Sequence, residues 1–444
     1  MERVLLVGNG GREHAIARAV KRSNGSVQLY AFMGAKNPGI ARLCEEFVVG
    51  NTLDAGAVAK FATSKRISLA VIGPEAPLEA GVVDELQKNG VGCAGPTRSA
   101  ARMETDKGFA RELLKKYKIK GSPAFGVFTD VNEAFNFIDS LGKPVVVKPA
   151  GLTGGKGVKI LGEHLKDENE AKEYVKEIVE KGVGGLKKVV VEEKLDGEEF
   201  SLQAFVDGRR VIGTPMVQDH KRAFPNDEGP NTGGMGSYSD AGYILPFLRK
   251  SDYEEGLSIM QKAVDAYRKE TGEEYKGFLY GGFIVTSNGV KLLEFNARLG
   301  DPEAMNTLSV IKSDFLNILE RIVDGNLKTA DFYKKATVCK YLVPEGYPAS
   351  PKKNELIEVD EKGIERTGAI LYYAAVNEID GKLYTGSSRT AGLVGISESI
   401  EKAERIAESA VGFVKGKLFY RKDIGTKGLI QKRMQHMKKL RGHL

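Results

Sequence analysis

The stretch Leu292-Leu293-Glu294-Phe295-Asn296-Ala297-Arg298 sets a carboxylate, an amide and a guanidinium two residues apart. Successive side chains of a strand point to opposite faces, so Leu293, Phe295 and Ala297 are expected on one face and Glu294, Asn296 and Arg298 on the other. Two hard oxygen donors side by side suit Mg²⁺, which prefers one or two carboxylates completed by substrate phosphates to an all-protein cage. Arg298, one step further along, is placed to meet charge developing on a transferring phosphoryl group. An exposed sheet face with an ordinary ion pair carries the same pattern, but Leu299-Gly300-Asp301-Pro302-Glu303 directly behind it favours a site.

Lysines for a phosphate chain lie upstream. In Val145–Leu161, VVVKPAGLTGGKGVKIL, a glycine-rich loop runs between Lys148 and Lys156. It is not a P-loop: Ala150 stands where the first glycine belongs, Gly157 where a metal-binding hydroxyl belongs, and the alternating residues that follow predict a strand instead of a helix. Lys148 sits in an apolar run, where an ammonium needs a partner, and Lys107, after Thr105-Asp106, is a third candidate. Where the run Val189-Val190-Val191 emerges into an acidic turn, the backbone of Glu193 and Leu195 could pair with an adenine edge and Glu199 with ribose hydroxyls; without context this is an acidic loop. Asp219-His220-Lys221-Arg222 and Asn231-Thr232-Gly233-Gly234-Met235-Gly236 form a second ligand-facing segment. His220 invites a general-base role, yet a lone histidine is more often structural.

The elements that must position these residues follow from periodicity. Val4–Val7, Val27–Phe32, Leu69–Ile72 and Val91–Ala94 are short apolar runs alternating with helical stretches, which implies a parallel sheet. Gly8-Asn9-Gly10-Gly11 and Gly73-Pro74-Glu75 then fall at its carboxyl edge, where open sheets bind ligands. Glu13 occupies the third glycine of a dinucleotide fingerprint and no acid ends the second strand, so an NAD site is excluded. What remains is a helix N-terminus opened by Gly10 and Gly11, with amides free for one phosphate. A helix over Arg102–Tyr117, a strand-helix-hairpin-helix-strand unit to residue 195, hairpins at Asp207-Gly208 and Asn288-Gly289, a helix over Ser251–Thr271 and a last helix over Ser399–Lys415 complete the pattern.

With 444 residues the chain is expected to form about three domains. Cys44, Cys93 and Cys339 lie far apart, without metal or disulfide spacing. No apolar run is long enough to cross a bilayer, so a reducing cytoplasm is the expectation. The formal charge is +7, and Lys427, Lys432, Arg433, Lys438, Lys439 and Arg441 supply six of these charges in a tail whose Ile430, Met434, Met437 and Leu444 fall along one side of a helix. It reads as a terminal helix on its own domain or as a basic arm, and as dispensable for turnover.

Together these motifs, with Asn37-Pro38-Gly39 and Gly229-Pro230, resemble the ATP-grasp superfamily and, within it, the phosphoribosylamine–glycine ligases, over residues 1 to about 330. The resemblance implies an α/β ATP-grasp fold with an N-terminal open parallel-sheet domain (1–104) binding phosphoribosylamine, an ATP-grasp domain (105–330) with a lid (about 122–193), a small C-terminal mixed α/β domain (331–428) and a basic tail (429–444). It implies ligation of glycine to 5-phosphoribosylamine through glycyl phosphate, the glycine-rich hairpin with Lys156 closing over the triphosphate. Lys107, Lys148, Glu193, Leu195 and Glu199 match the nucleotide contacts, and Glu294 and Asn296 the ligands of Mg²⁺, or Mn²⁺ in its place. Arg298, Lys148 and Asp219 match the catalytic groups, Lys221 lying nearby, and Gly10, Gly11, Pro74 and Glu75 the phosphoribosylamine site. Neither a membrane nor a nucleic acid is implied, and the expected state is a monomer or weak homodimer. Departures are Gly386-Ser387-Ser388-Arg389-Thr390-Ala391-Gly392, Pro149-Ala150 after Lys148, and the tail. The rivals are another ATP-grasp ligase or carboxylase, against which Asp219–Gly236 speaks, and a noncatalytic nucleotide- or nucleic-acid-binding protein, against which Glu294, Asn296 and Arg298 speak.

Overall fold

The computed structural model describes residues 2–154 and 157–442. Strands β1 (Glu2–Val7), β2 (Val27–Met33), β3 (Glu46–Val49), β4 (Leu69–Ile72) and β5 (Gly92–Ala94) pair in parallel in the order β3-β2-β1-β4-β5. Val4 to Val7 are fully buried, because helices cover both faces of such a sheet and leave no room for polar alternation. The strand order reverses between β1 and β4, so Gly8 and Gly73 flank the crevice at the carboxyl edge. Sequence periodicity missed β3, a partly exposed edge strand with no apolar run.

One helix expected over Arg102–Tyr117 is two, Arg98–Thr105 and Lys107–Lys116. Asp106 is extended and accepts the N–H of Phe109 (3.0 Å), capping the second helix. Lys107 thereby becomes a first-turn residue at a bend instead of a mid-helix surface lysine.

Strands β6 (Phe125–Phe128), β7 (Val145–Pro149), β8 (Lys159–Ile160) and β9 (Val189–Glu193) form an antiparallel sheet in the order β6-β9-β7-β8. Its core, including Ile138, Val147, Val175 and Val191, is separate from the main one. Val146 faces Ile160 and Val147 faces Lys159, the strand-loop-strand hairpin that excludes a P-loop. The loop is tight at its base, where a Cβ on Gly151 would fall 1.9 Å from the Gly184 carbonyl oxygen. Lys156 lies outside the described residues.

The chain continues through β10 (Glu198–Asp207), β11 (Val211–Gly213), β12 (Gln218–Asp219), β13 (Arg222–Phe224), β14 (Glu228–Asn231) and β15 (Gly236–Ser239), then a helix over Lys250–Thr271 and strands β16 (Lys276–Thr286) and β17 (Gly289–Asn296). The order β11-β10-β16-β17 is antiparallel, with hairpin turns at Gly208 and Gly289 whose φ values of +99° and +89° suit glycine. A bulge interrupts the last pairing, because Gly282 faces Glu294 while Phe283 faces Leu292. Leu293 is the extra residue. The expected phase therefore fails at that position: Leu292, Phe295 and Ala297 are buried while Leu293 is half-buried, and regular alternation of Glu294, Asn296 and Arg298 starts only after the bulge.

Strands β12 and β15 leave this sheet and join β18 (Ala336–Pro344) and the strands Ala391–Ser397 and Ile370–Tyr373. The boundary expected at residue 330 does not interrupt that sheet. No described helix is long and apolar enough to cross a membrane.

The tail is neither a free arm nor packed only on its own domain. Residues Lys427–Arg441 form a helix against β10 and β16, with Met437 fully buried and Ile430 and Met434 packed on the main core. Arg441 Nη1 donates to both carboxylate oxygens of Asp252 (3.0 and 2.9 Å) at the start of the helix Lys250–Thr271. Met437→Ala should lower unfolding free energy by about 2–5 kcal/mol in urea titrations; an unchanged midpoint would mean that this helix is undocked in solution.

Candidate active site

Beyond the bulge, β17 and the two residues after it turn Glu294, Asn296 and Arg298 into a cleft between the sheets. Burial pushes the Glu294 carboxyl up, but Lys221, Lys107, Lys148 and Arg298 outweigh it and hold it below the usual carboxylate range. With its amide nitrogen toward Glu104 Oε1 (2.9 Å) and the Phe295 carbonyl (3.1 Å), the orientation in which donors meet acceptors, Asn296 turns its amide oxygen the other way. Arg298 is held from two sides, Nε on Glu75 Oε2 (3.2 Å) and Nη2 on Glu104 Oε1 (3.1 Å). Burial raises Glu104 to about 7 with Glu75 adding to it, whereas Arg298 and Arg12 overcome burial at Glu75 and lower it to about 2. Glu104 also accepts the N–H of Ala297 (2.7 Å), so this carboxyl positions the strand end through three neighbours.

Lys148 has the partner its apolar strand demanded: Glu192 Oε2 at 2.7 Å. Arg111 Nε lies 2.6 Å from Glu192 Oε1, and Arg111 Nη2 donates to the carbonyls of Leu292 and Leu293 (2.9 and 3.0 Å). Lys148 Nζ donates to Leu293 as well (3.1 Å). Carbonyls that the bulge removes from the ladder are thus satisfied by the cations beside it. Lys107 Nζ donates to the Gly151 carbonyl (3.1 Å) and has no carboxylate partner among the described residues; burial lowers its pKa, with Glu294 opposing.

On the far wall, Lys221 Nζ lies 3.3 Å from Glu199 Oε2, and Glu199, Glu294, Asp219 and Glu303 together raise its pKa against burial. Burial and the nearby Glu303 carboxylate raise Asp219 well above its ordinary value. Arg389, just before the strand Ala391–Ser397, donates to the carbonyls of Gly233 (2.5 Å), Gly234 (3.2 Å) and Asp301 (2.6 Å), bracing the glycine loop that packs against Asp219. The departure noted at Gly386–Gly392 therefore includes a residue that supports the site.

Lys107, Lys148, Asp219, Lys221, Glu199, Glu294, Asn296, Arg298 and Glu75 come together, with Pro74 capping the helix that Glu75 begins. The Glu193 side chain does not join them, because it accepts the N–H of Ala124 (2.9 Å) and pairs with Lys143 (2.7 Å). Leu195 lies in the link between β9 and β10, and its N–H makes no hydrogen bond among the described residues. Gly10 corrects the expectation of open amides: its N–H donates to Glu13 Oε2 (2.5 Å), a partner three residues on that closes the helix start. Gly11 begins that helix. His220 is buried, both ring nitrogens lack a partner among the described residues, and burial lowers its pKa to about 3, as fits a packing residue. Sequence reasoning pointed to the segment of Glu303 but gave no role to Glu104, Arg111, Glu192 or Arg389. Only Glu192 left a signal, as the acid beside Glu193 on a strand otherwise apolar.

Models of the phosphoribosylglycinamide synthetase N domain, ATP-grasp (A) domain and C domain match residues 2–104, 105–304 and 337–427. The phosphoribosylamine–glycine ligase of Methanopyrus kandleri is 52% identical over 448 residues, covering 100% of both chains. That of Methanocaldococcus jannaschii is 53% identical over 445 residues, covering 99% of this chain and 100% of its own. The crystal structure of phosphoribosylamine–glycine ligase from Thermotoga maritima has a TM-score of 0.81 at 31% identity and covers 95% of this chain and 99% of that one. A carboxylate kept ionised among lysines on an ATP-grasp sheet, behind a parallel-sheet domain and braced by a third, is thus the setting in which the chain belongs to the phosphoribosylglycinamide synthetase family.

Proposed function

We propose that the protein joins glycine to 5-phosphoribosylamine, converting ATP to ADP and phosphate and releasing glycinamide ribonucleotide. The observation that carries this reading is Glu294, kept ionised on the cleft side of β17 amid Lys107, Lys148, Lys221 and Arg298. A carboxylate is a poor electrophile until phosphate becomes its leaving group. A glycine carboxylate oxygen attacks the γ-phosphorus, the bond to ADP breaks, and glycyl phosphate forms. The amine of phosphoribosylamine then attacks the carbonyl carbon, phosphate leaves, and the amine loses a proton.

Each residue has a part. Lys107, which lacks a carboxylate partner among the described residues, and Lys148 bind phosphate oxygens. Arg298, fixed by Glu75 and Glu104, meets charge on the transferring phosphoryl group and orients glycine. Asp219 and Lys221 line the glycine side, and the Glu193 carbonyl, Leu195 N–H and Glu199 take adenine and ribose. Gly11, Pro74 and Glu75 hold phosphoribosylamine in domain 1–104, with Gly10 shaping the turn.

The donor set fits a divalent ion: an ionised carboxylate beside an outward amide oxygen, with no cluster of three His, Cys, Asp or Glu groups among the described residues to complete a protein cage. Glu294 and Asn296 would hold Mg²⁺, which when bound neutralises charge on the β- and γ-phosphates. The reading expects a monomer or weak homodimer, and a reducing cytoplasm suits the three free cysteines.

ADP release should need both glycine and phosphoribosylamine for full rate; release at one rate regardless of acceptor overturns the ligase reading. Glu294→Ala should cut turnover on the order of 10³-fold with an unchanged circular dichroism spectrum, and near-normal turnover would remove the metal site. His220→Leu should keep most of its turnover. The unfolded chain protonates His220 below about 6.5 while the folded one resists to about 3. Its contribution is thus present above 6.5 and withdrawn as pH falls, by about 1.4 kcal/mol per unit. Wild-type protein should therefore lose more stability than His220→Leu between pH 7.5 and 5.5 in denaturant melts; equal losses would contradict a neutral buried imidazole.

A further inference from the structure

Among the described residues no ion pair joins the C-terminal helix Lys427–Arg441 to a group assigned to the reaction, and the family's C-domain model ends where it begins. Arg433 and His436, three residues apart and so on one face, converge on Glu198. His436 Nδ1 lies 2.7 Å from Glu198 Oε1 and Arg433 Nε 3.3 Å from Glu198 Oε2. His436 Nε2 is 3.4 Å from Asp196 Oδ1. Arg433 also pairs with Asp227, which Arg421 Nη1 holds at 2.9 Å.

What Glu198 fixes is the connection between two sheets. It is the first residue of β10, immediately after the link from β9 that contains Leu195. Its neighbour Glu199 points to the opposite face, where Lys221 meets it, and the Glu199 carbonyl accepts from Gln218 Nε2 (2.9 Å). Glu198 is 5% exposed; burial raises its carboxyl, with Arg433 and His436 opposing. Asp227 stands in the turn between β13 and β14. That hairpin reaches the other sheet through Arg222 Nη2 and Glu163 Oε2 (2.5 Å). One helix face therefore grips both the strand link beneath the cleft and the hairpin beside it.

We propose that Arg433 and His436 are positioning residues for the nucleotide: by anchoring Glu198 they set the place of Leu195 and Glu199, and so the affinity for ATP, without touching it. This rests on reading the cleft as the nucleotide site. The test is calorimetric titration of the full chain with Mg·ADP, alongside steady-state kinetics in ATP and in glycine, for wild type, His436→Ala, His436→Asn and Lys439→Ala. His436→Ala should raise the Kd for Mg·ADP and the KM for ATP about fivefold, with kcat and the KM for glycine within about twofold. His436→Asn, which keeps a donor near the Nδ1 position, should recover most of that loss, and Lys439→Ala should match wild type. Glu198→Gln, which removes the charge at constant shape, should weaken Mg·ADP in the same direction and gives the answer if His436→Ala does not fold. Unchanged Mg·ADP affinity in His436→Ala or in Glu198→Gln, parallel shifts of both KM values, or an Asn variant no better than Ala would overturn the inference. Failure of the wild type itself to bind Mg·ADP would instead overturn the nucleotide-site reading.

Discussion

Arg298 shared between Glu75 and Glu104 is the interaction on which the working geometry depends. The two acids come from different helices, one at the carboxyl edge of the parallel sheet and one at the bend before Lys107, and the guanidinium comes from the segment just after β17. Three pieces of chain are thereby drawn to one point. A buried charge left alone is expensive, so the knot holds only while its members stay together. Glu75 is only partly buried and Arg12 helps Arg298 to hold it at about 2, whereas burial at Glu104 outweighs the shared guanidinium and raises that carboxyl to about 7. The carboxyl that compensation reaches least is the one that orders Asn296 and Ala297.

A second ionic group performs the same service behind the phosphate lysine. Glu192 lies between Lys148 and Arg111, and those two cations also satisfy carbonyls that the bulge at Leu293 frees. The bulge and the ion group explain each other. An irregular strand needs donors at its broken rungs, and two buried cations need acceptors beyond the single carboxylate between them. The outcome is a strand whose phase is reset one residue before the site begins.

Much of this was legible in the sequence, for identifiable reasons. Continuous apolar runs marked the buried parallel strands, glycine at the hairpin tips marked the turns, and period-two spacing put Glu294, Asn296 and Arg298 on one face. Lys148 in an apolar run announced that it would be paired. Periodicity, however, reports which way a side chain points and not what it meets. Glu192 is 44 residues from Lys148 and Glu104 is 193 from Ala297, so neither pairing left a local trace. The edge strand β3 lacks an apolar run because half of it faces outward, and the bulge is invisible until the partner strand is known. The docking of the last helix depends on Glu198 and Asp252, acids that read as ordinary surface charge until a basic face covers them.

The glycine-rich loop and the final quarter of the chain are woven together. Gly236 to Ser239 lie in register with Lys340 to Thr337, and Arg389 reaches across to the loop backbone. Modularity along the gene is therefore not modularity of the solid. A chimera exchanged between residues 239 and 336 would bring a foreign strand to a native seam and ask it to match rung by rung, so inheritance of the last domain as a free cassette is hindered, and the two halves of that seam are constrained to drift in step.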